Sequence, residues 1–303
     1  MASSPAATGP EVSVVVSTIG RPAMLARLVR SLVVEAASVD FELVVVDQSH
    51  DASARSVLQD HAQSLRWQVL TSERGVSRGR NLGLSVAVAP VVTFPDDDAW
   101  FPGTTLASAV KHLAAEPELG GITAMLWDGE ARPNMLRWAD TAQMVTARNY
   151  YRTSIGSTMF VRTELARRSG GFDEGVGPGA GSGLGSCEDA DFLLRVVALG
   201  PVRYEPTLGV HHDAMVATLE ASVAKKMYEY GAGQAWFWRR HDIARAQVGY
   251  LLARKAAKVA LAAVTGRSDS GVADRAFLRG AVAGLVGLVP GARPAAGYQL
   301  PRL

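Results

Sequence analysis

The sequence predicts an α/β fold in which a mostly parallel central sheet is flanked by helices and followed by a helical C-terminal extension. In the first third, short runs of β-branched residues alternate with segments of helical period. This alternation implies right-handed crossovers between parallel strands. Beyond residue 218 the pattern becomes helical and basic. The length of 303 residues suits one elaborated α/β domain with an appendage.

The expected strands of the first third are almost continuously hydrophobic, which is typical of parallel strands buried on both faces. They cover residues 12–17, 41–47, 67–70 and 91–95. Apolar residues at i, i+3 and i+4 predict helices between them, over residues 22–36, 52–64 and 76–87. Further along we expect strands at 121–126 and 157–162, a glycine-rich loop at 170–187 and a helix at 188–199.

The composition indicates a globular protein that does not cross a membrane. Hydrophobic residues make up 48% and charged residues 20% of the chain, as in ordinary soluble domains. No apolar run reaches the roughly 18 to 20 residues that a spanning helix needs, and the first ten residues lack a signal-peptide pattern. The single cysteine, Cys187, cannot form an intramolecular disulfide. We therefore expect a cytoplasmic protein.

The charge is distributed unevenly along the chain. From residue 221 onward there are 13 Lys and Arg against 4 Asp and Glu, a net charge of +9, whereas the first 220 residues carry −7. An amphipathic stretch near 247–264, accompanied by aromatic residues, predicts contact with an anionic membrane surface through 221–303. The alternative is a helical hairpin packed on the catalytic domain. Nucleic acid is not expected as a partner, because no recognised binding motif accompanies the basic residues.

Three consecutive carboxylates, Asp96, Asp97 and Asp98, follow the fourth predicted strand. Adjacent carboxylates raise one another's pKa unless a cation neutralises them. In open α/β sheets ligands bind at the carboxyl ends of the strands, and Mg²⁺ there is held by one or two carboxylates together with phosphate oxygens. The sequence therefore predicts a divalent-metal site at this edge. A solvated acidic turn is the alternative.

Six segments resemble the family 2 glycosyltransferases in order and approximate spacing. They are VSVVVSTIGRP, VVVDQS, ERGVSRGRNLGL, FPDDDAW, GGFDE and CEDADFLLR, and the resemblance extends over about residues 12–213. The resemblance implies the GT-A (Rossmann-like) fold. It also implies an inverting enzyme of the bacterial cell-envelope or polysaccharide type that uses Mn²⁺ or Mg²⁺. Such an enzyme transfers sugar from a nucleoside-diphosphate donor (UDP or dTDP) to a lipid-linked or envelope glycan.

The resemblance also assigns donor-binding residues. Those expected to hold the nucleotide are Ser17, Thr18, Asp47, Arg78, Asn81, Asp96 and Asp97. Asp47 would bind the base and Asp96 would approach the ribose. Alternatively, Asp47 is a helix N-cap or turn residue, and Arg78 and Asn81 lie on a solvated helix face.

The expected metal ligands are Asp98, Asp96 and the tandem histidines His211 and His212. Two adjacent residues of a strand point to opposite faces, so both histidines cannot enter one site. We favour His211 slightly, with Asp213 as a partner that orients one of the rings. Imidazole suits Mn²⁺ better than Mg²⁺.

A second acidic group, Glu188, Asp189 and Asp191, opens the helix predicted at 188–199. By resemblance, the adjacent Glu188 and Asp189 supply the base that takes the proton of the acceptor hydroxyl, and we favour Asp189 over Asp191. The alternative is structural, because acids in a first turn interact favourably with the helix dipole.

These interpretations divide the chain into a disordered tail (1–10), a catalytic domain (11–217) and the basic extension (218–303). The catalytic domain would comprise a nucleotide-binding half (11–119) and an acceptor half (120–217). Two other functions remain open at this point. A nucleotidyltransferase needs a glycine-rich phosphate loop, of which STIGRP is a poor version. A non-catalytic binding module would not need the two acidic segments. A nicotinamide dehydrogenase is excluded, because its GxGxxG motif is absent.

Overall fold

The computed structural model describes residues 9–49, 51, 53–213, 221–264 and 268–289. They form two compact units. Unit 1 comprises the described residues of Met1–Arg74, Arg78–Gly171 and Leu199–Ala214, and unit 2 those of Gly75–Ser77, Phe172–Ala198 and Met215–Leu303. The predicted domain boundary at residue 217 stays a prediction, and the units group Phe172–Ala198 with the C-terminal helices. Most of the predicted tail, residues 1–8, lies outside the described residues.

Unit 1 is built on a mixed sheet that has nine strands among the described residues, in the order β3-β2-β1-β4-β8-β6-β9-β5, with β7 paired to β9. The strands are β1 Val12–Thr18, β2 Phe41–Asp47, β3 Arg66–Thr71, β4 Val91–Thr93, β5 Ala99–Trp100, β6 Gly121–Trp127, β7 Gln143–Met144, β8 Met159–Arg162 and β9 Val202–His212. β1 pairs in parallel with β2 and β4, and β2 with β3, whereas β8 runs antiparallel to β4 and β6. The α/β fold with a mostly parallel sheet is confirmed.

The helices of unit 1 are α1 Pro22–Glu35, α2 Ser53–His61, α3 Val76–Val86, α4 Thr105–Ala115 and α5 Thr163–Arg168. The first two residues of α3 are grouped with unit 2. α3 approaches β1 closely, because a Cβ at Gly79 or Gly83 would overlap Ser17 or Val15. Glycine at these two positions lets the helix lie directly against the strand that ends at Thr18.

One sequence expectation about burial is wrong. β1 and β2 are almost entirely buried, as near-continuous hydrophobic runs predict. β3 is exposed at both ends and only half-buried between them. Among the described residues it pairs with β2 alone and forms the edge of the sheet, so no neighbouring strand covers its other side there.

A buried carboxylate joins α1 to the segment that follows the triple aspartate. Glu35 is fully buried and accepts hydrogen bonds from the backbone N–H groups of Gly103, Thr105 and Leu106, each at 3.0 Å. It thereby satisfies donors at the start of α4 that have no partner within the helix. Burial raises the pKa of Glu35, although these three hydrogen bonds oppose the shift. The contact fixes the path of the chain just beyond Asp98.

Unit 2 combines α6 Glu188–Val197 with three longer helices, α7 Ala221–Arg240, α8 Arg245–Val264 and α9 Ser268–Leu285. α7 and α9 pack closely, because a Cβ at Gly231 would overlap the backbone of Phe277 and one at Gly280 that of Tyr228. In the part of the chain that the structure describes, no helix has the length and apolar character needed to span a bilayer.

Candidate active site

The ends of β1 and β4 bring the acidic segment and a basic loop together. The Thr18 hydroxyl donates to Asp97 Oδ2 at 2.6 Å. The Arg21 guanidinium, in the loop before α1, lies 2.6 Å from Asp97 Oδ1 and 2.9 Å from Asp98 Oδ2. Asp97 is fully buried, and burial raises its pKa to about 6 against the opposing effects of Thr18 and Arg21. Arg21 therefore neutralises part of the charge that three adjacent carboxylates create.

Asp98 lies against a histidine from a strand far along the sequence. β5 pairs antiparallel with β9, and Ala99 is opposite His212. The pairing places His212 Nε2 3.0 Å from Asp98 Oδ1. The other ring nitrogen, Nδ1, lies 2.7 Å from the backbone carbonyl of Asp213. That carbonyl, and not the Asp213 carboxylate, orients the ring and directs Nε2 toward Asp98.

The two side chains shift each other's protonation. Burial raises the pKa of Asp98, but the hydrogen bond and charge of His212 and the charge of Arg21 outweigh it, so the net shift is downward. Burial lowers the pKa of His212, but the hydrogen bond and charge of Asp98 outweigh it, so the net shift is upward. Each of the two side chains therefore favours the charged form of the other.

The same pair fits a divalent cation. Mg²⁺ binds its ligands at about 2.1 Å in octahedral geometry, so neighbouring ligand atoms lie about 3 Å apart. The 3.0 Å separation of Asp98 Oδ1 and His212 Nε2 has this value. Among the described residues, no group of three or more His, Cys, Asp or Glu side chains is arranged to hold a metal ion. A cation here would have two protein ligands, with substrate oxygens and water completing its shell.

His211 points to the other face of β9, so the geometry favours His212 over the slightly preferred His211 as the ligand beside Asp98. Its ring stacks on Trp100 with centroids 5.3 Å apart and meets Trp127 edge-on at 5.5 Å. Its Nδ1 lies 2.7 Å from the carbonyl oxygen of Asp128. Successive strand residues alternate faces, and the β5–β9 register determines which histidine reaches Asp98.

The Asp96 carboxylate is already engaged by two other side chains, which argues against its predicted role as a metal ligand. Its Oδ1 lies 2.9 Å from Nη2 of the nearly buried Arg80, and its Oδ2 accepts from the Ser157 hydroxyl at 2.6 Å. Both partners hold the carboxylate at the sheet edge. Its predicted position near a ribose stays a prediction.

Arg80 was missed by the sequence interpretation, which singled out Arg78 and Asn81 in the same helix. Arg78 forms an ion pair with the exposed Glu73, and Asn81 lies against the backbone of Gly171. The helical period of the sequence could have indicated Arg80 as a candidate site residue. It shares the inner face of α3 with the buried residues Ser77 and Leu84, and a basic residue on a buried face needs a partner.

Asp47 ends β2 directly beside the end of β1, where Thr18 is its register partner. Its Oδ1 accepts a hydrogen bond from the backbone N–H of Ser49 at 2.9 Å and another from the Ser49 hydroxyl. The next residue, Gln48, donates to the Glu73 carbonyl at 2.7 Å. Asp47 thus adopts the predicted alternative role in a turn. Its contact with a nucleotide base, like that of Ser17, stays a prediction.

Arg27 of α1 joins the two segments that carry Asp98 and His212. Its Nη2 donates to the Asp98 carbonyl at 2.7 Å, and its Nη1 lies 2.8 Å from the Asp213 carboxylate. The guanidinium carbon lies 4.1 Å from the centroid of the Trp100 ring. A planar group with several donors can make all three contacts at once. Arg27 therefore fixes the separation of the acid and the histidine.

In unit 2, the acids of α6 have different environments. Glu188 is nearly buried and packs against Gly177. Asp189 is partly exposed, and its Oδ1 accepts the N–H of Ala190 at 2.8 Å. Cys187 precedes them in a left-handed conformation with φ of 72°.

Asp191 is fully buried and surrounded by basic side chains, which argues against its predicted role as the base. Its carboxylate lies 2.7 Å from Arg195 Nη2, 2.7 Å from Arg240 Nε and 2.9 Å from His241 Nε2. Burial raises its pKa, but these partners outweigh burial and lower the pKa overall. A shielded carboxylate that binds protons weakly is suited to stabilising unit 2. Asp189 keeps its predicted role as a hypothesis.

The model of the family described as "Glycosyl transferase family 2" matches residues 13–168, just over half of the chain. The chain belongs to glycosyl transferase family 2. This membership makes the protein a glycosyltransferase and decides against the nucleotidyltransferase and the non-catalytic module. The match includes the segment carrying Asp96, Asp97 and Asp98 and ends before β9 and α6.

Solved structures with the same fold include TarS and a mannosyltransferase. TarS 1–349 from S. aureus is 20% identical, with a TM-score of 0.58 over 78% of this chain and 67% of that one. Its complex with UDP-GlcNAc is 19% identical, with a TM-score of 0.58 over 78% and 68%. The mannosyltransferase PcManGT from Pyrobaculum calidifontis, in complex with GDP-Man and Mn²⁺, is 18% identical, with a TM-score of 0.58 over 91% and 87%. No curated protein sequence matches significantly.

Proposed function

We propose that this family 2 glycosyltransferase transfers a sugar, with inversion, from a UDP- or dTDP-sugar to a hydroxyl of a lipid-linked or envelope glycan. The observation that carries the proposal is the Asp98–His212 pair, 3.0 Å apart at the strand-end edge of a glycosyltransferase sheet. Mn²⁺ or Mg²⁺ would be held by these two side chains. When bound, the ion neutralises charge that develops on the diphosphate leaving group.

The donor diphosphate would bind in a region that already contains a basic side chain, Arg21. Arg21 is 43% exposed and contacts Asp97 and Asp98, so its guanidinium can turn toward phosphate oxygens as it leaves the carboxylates. Thr18 and Arg21 keep the buried Asp97 in position. We assign Asp97 to supporting the donor site and not to contacting the nucleotide.

The nucleoside would bind along the ends of β1 and β2. Asp47 and Ser17 lie at these strand ends, and Asn81 and Arg78 lie on α3, which packs against β1 through its glycines. Asp96 would approach the ribose, since Arg80 and Ser157 orient its carboxylate. UDP-GlcNAc and GDP-Man in the two neighbours support a nucleoside-diphosphate sugar as the donor class.

Asp189 would act as the general base. As the acceptor oxygen bonds to the anomeric carbon, its proton passes to Asp189 and the bond from that carbon to the diphosphate breaks on the opposite face. Attack from the face opposite the leaving group inverts the configuration. Asp189 is suited to this role because it is partly exposed, whereas Glu188 is nearly buried and Asp191 is enclosed by basic side chains.

We further propose that the enzyme works in the cytoplasm, peripherally attached to the inner face of the plasma membrane. A lipid-linked acceptor would be presented there. The net charge of +9 from residue 221 onward supports attachment to anionic lipid.

The decisive experiment measures donor binding and turnover with the purified full chain. Thermal shift with UDP-, dTDP- and GDP-sugars, each with Mn²⁺, Mg²⁺ or EDTA, should show metal-dependent stabilisation by UDP- or dTDP-sugars. Release of the nucleoside diphosphate, measured with the same donors, reports the reaction. His212→Gln should lose the metal dependence and His211→Gln should keep it. If no nucleotide sugar stabilises the protein or is consumed with either metal, the proposal is wrong.

A further inference from the structure

Helix α8 of unit 2 exposes an apolar face. The large side chains on this face are Tyr250, 56% exposed, Leu261, 63% exposed, and Val264, 86% exposed. Their spacing of 11 and 3 residues places them on one side of an α-helix, along about 21 Å of its length. Exposed alanines at 246, 253, 257 and 260 lie on the same side. A surface helix ordinarily presents polar residues there.

The opposite side of α8 is the one that packs on α9. Lys255 Nζ lies 2.6 Å from Asp274 Oδ1 and 4.6 Å from the centroid of the Phe277 ring. Further along, Ala262 is buried and adjacent to Gly271 of α9. A charged residue therefore lies on the inner side and apolar residues on the outer side. Since these contacts fix the rotation of α8, its outward apolar face is a property of the fold.

The charges of α8 all have the same sign. The helix contains four basic residues and no Asp or Glu. Arg254 and Lys258 lie along one margin of the apolar face, and Arg245 lies near the N-terminal end. The Arg254 guanidinium lies 5.9 Å from the centroid of the Tyr250 ring. Long basic side chains at such a margin can keep their charge in water while their stems cover apolar surface.

We propose that the outward face of α8, from Ala246 to Val264, is a docking site for an anionic lipid bilayer. Its apolar residues would enter the boundary between headgroups and acyl chains while Arg254 and Lys258 contact anionic headgroups. Charge complementarity selects this occupant, because a two-fold pairing with a second copy would bring basic residues together without any acid on α8 to neutralise them. The proposal deepens the proposed function by naming the surface that holds the enzyme at the membrane.

The test is co-sedimentation of the full chain with vesicles of phosphatidylcholine, alone or with about 30% phosphatidylglycerol. We expect at least tenfold tighter binding to the anionic vesicles, and weaker binding as salt increases. Lys258→Gln should weaken binding about fivefold, since one basic residue near an anionic surface contributes about 1 kcal/mol.

Leu261→Glu tests the apolar part of the face. It should reduce anionic-vesicle binding more than tenfold, because it removes apolar burial and adds a repelling charge. The matched control is Val34→Glu on α1 of unit 1, where an exposed apolar residue, 59% exposed, acquires the same charge. The control should bind like the unmodified chain. Unchanged melting temperatures of both variants would verify that they fold.

Three results would overturn the proposal. The first is failure of the chain to sediment with anionic vesicles, and the second is an equal effect of Leu261→Glu and Val34→Glu on vesicle binding. The third is self-association of the chain that Leu261→Glu abolishes, because it would identify a second copy as the occupant of the face. Vesicle binding without consumption of any nucleotide sugar would support docking and contradict the proposed function. Donor consumption without vesicle binding would support the proposed sugar transfer and contradict both docking and the proposed attachment to the membrane.

Discussion

Unit 1 and unit 2 each contain a cluster of acids close together in sequence, and they use them differently. In unit 1 the side chains of Asp96 and Asp98 are 38% and 19% exposed, and Arg21, which contacts Asp98, is itself 43% exposed. In unit 2 Asp191 is fully buried and enclosed by basic groups. Clustered acids therefore do not by themselves identify a reactive site. Exposure and the nature of the partners separate the two uses.

The family match adds a second difference between the units. It covers residues 13–168, which include the acids of unit 1 and end before α6. The assignment of Asp189 therefore depends on its chemistry and on the motif resemblance.

The largest expected effect is on catalysis by Asp189. Asp189→Asn should reduce kcat by roughly 10² to 10⁴-fold, because a general base contributes about that much, and should leave donor affinity unchanged. Steady-state kinetics and donor titration measure the two quantities. Asp191→Asn is the matched control on the same helix, and at a temperature where it remains folded it should lose less activity. An active Asp189→Asn enzyme would show that the base lies elsewhere.

Next in size is the effect of Asp191 on stability. Asp191→Ala should lower the free energy of unfolding by about 3 to 5 kcal/mol, because it leaves Arg195, Arg240 and His241 without their shared acid in a buried position. Denaturant titration measures the change. Asp189→Ala should cost much less, since its side chain is partly exposed. Equal losses for the two variants would contradict the distinction drawn between them.

A smaller effect is expected at the metal pair. His212→Gln should weaken Mn²⁺ binding about 10 to 100-fold, since one of two protein ligands is lost, whereas His211→Gln should change it little. Calorimetric titration of Mn²⁺ in the presence of UDP measures both. The opposite ranking would show that the β5–β9 pairing does not determine the ligand.

The smallest effect concerns acid stability. The pKa of Asp191 is lowered in the folded state, so its contribution to stability is complete at neutral pH and is lost as pH falls below its ordinary value of 3.8. The unfolding free energy should therefore decrease more steeply with acid for the unmodified chain than for Asp191→Asn. Melting temperatures between about pH 2 and pH 5 test this. Parallel curves for the two proteins would contradict the assigned shift.

Local sequence pattern predicted much of the molecule. The bounds of β2 were predicted in full, and most other predicted strands and helices were placed within two residues, because hydrophobic period and turn residues act over a few positions. Ligands of open α/β sheets bind at the carboxyl ends of the strands, and this rule predicted that Thr18, Asp47 and Asp96–Asp98 lie at the same edge of the sheet. β3 was predicted as a buried strand because its composition does not reveal that it lies at an edge.

The amino-acid sequence alone thus determined the family, the fold and the segments that carry the acids, since these depend on local patterns and residue order. Tertiary structure decided that His212 and not His211 meets Asp98, that Arg80 holds Asp96, and that Asp191 is enclosed. The physical reason is that each of these facts depends on strand register, helix rotation or burial. Asp191 and His241, for example, are 50 positions apart, and only the packing of α6 with the rest of unit 2 brings them into contact.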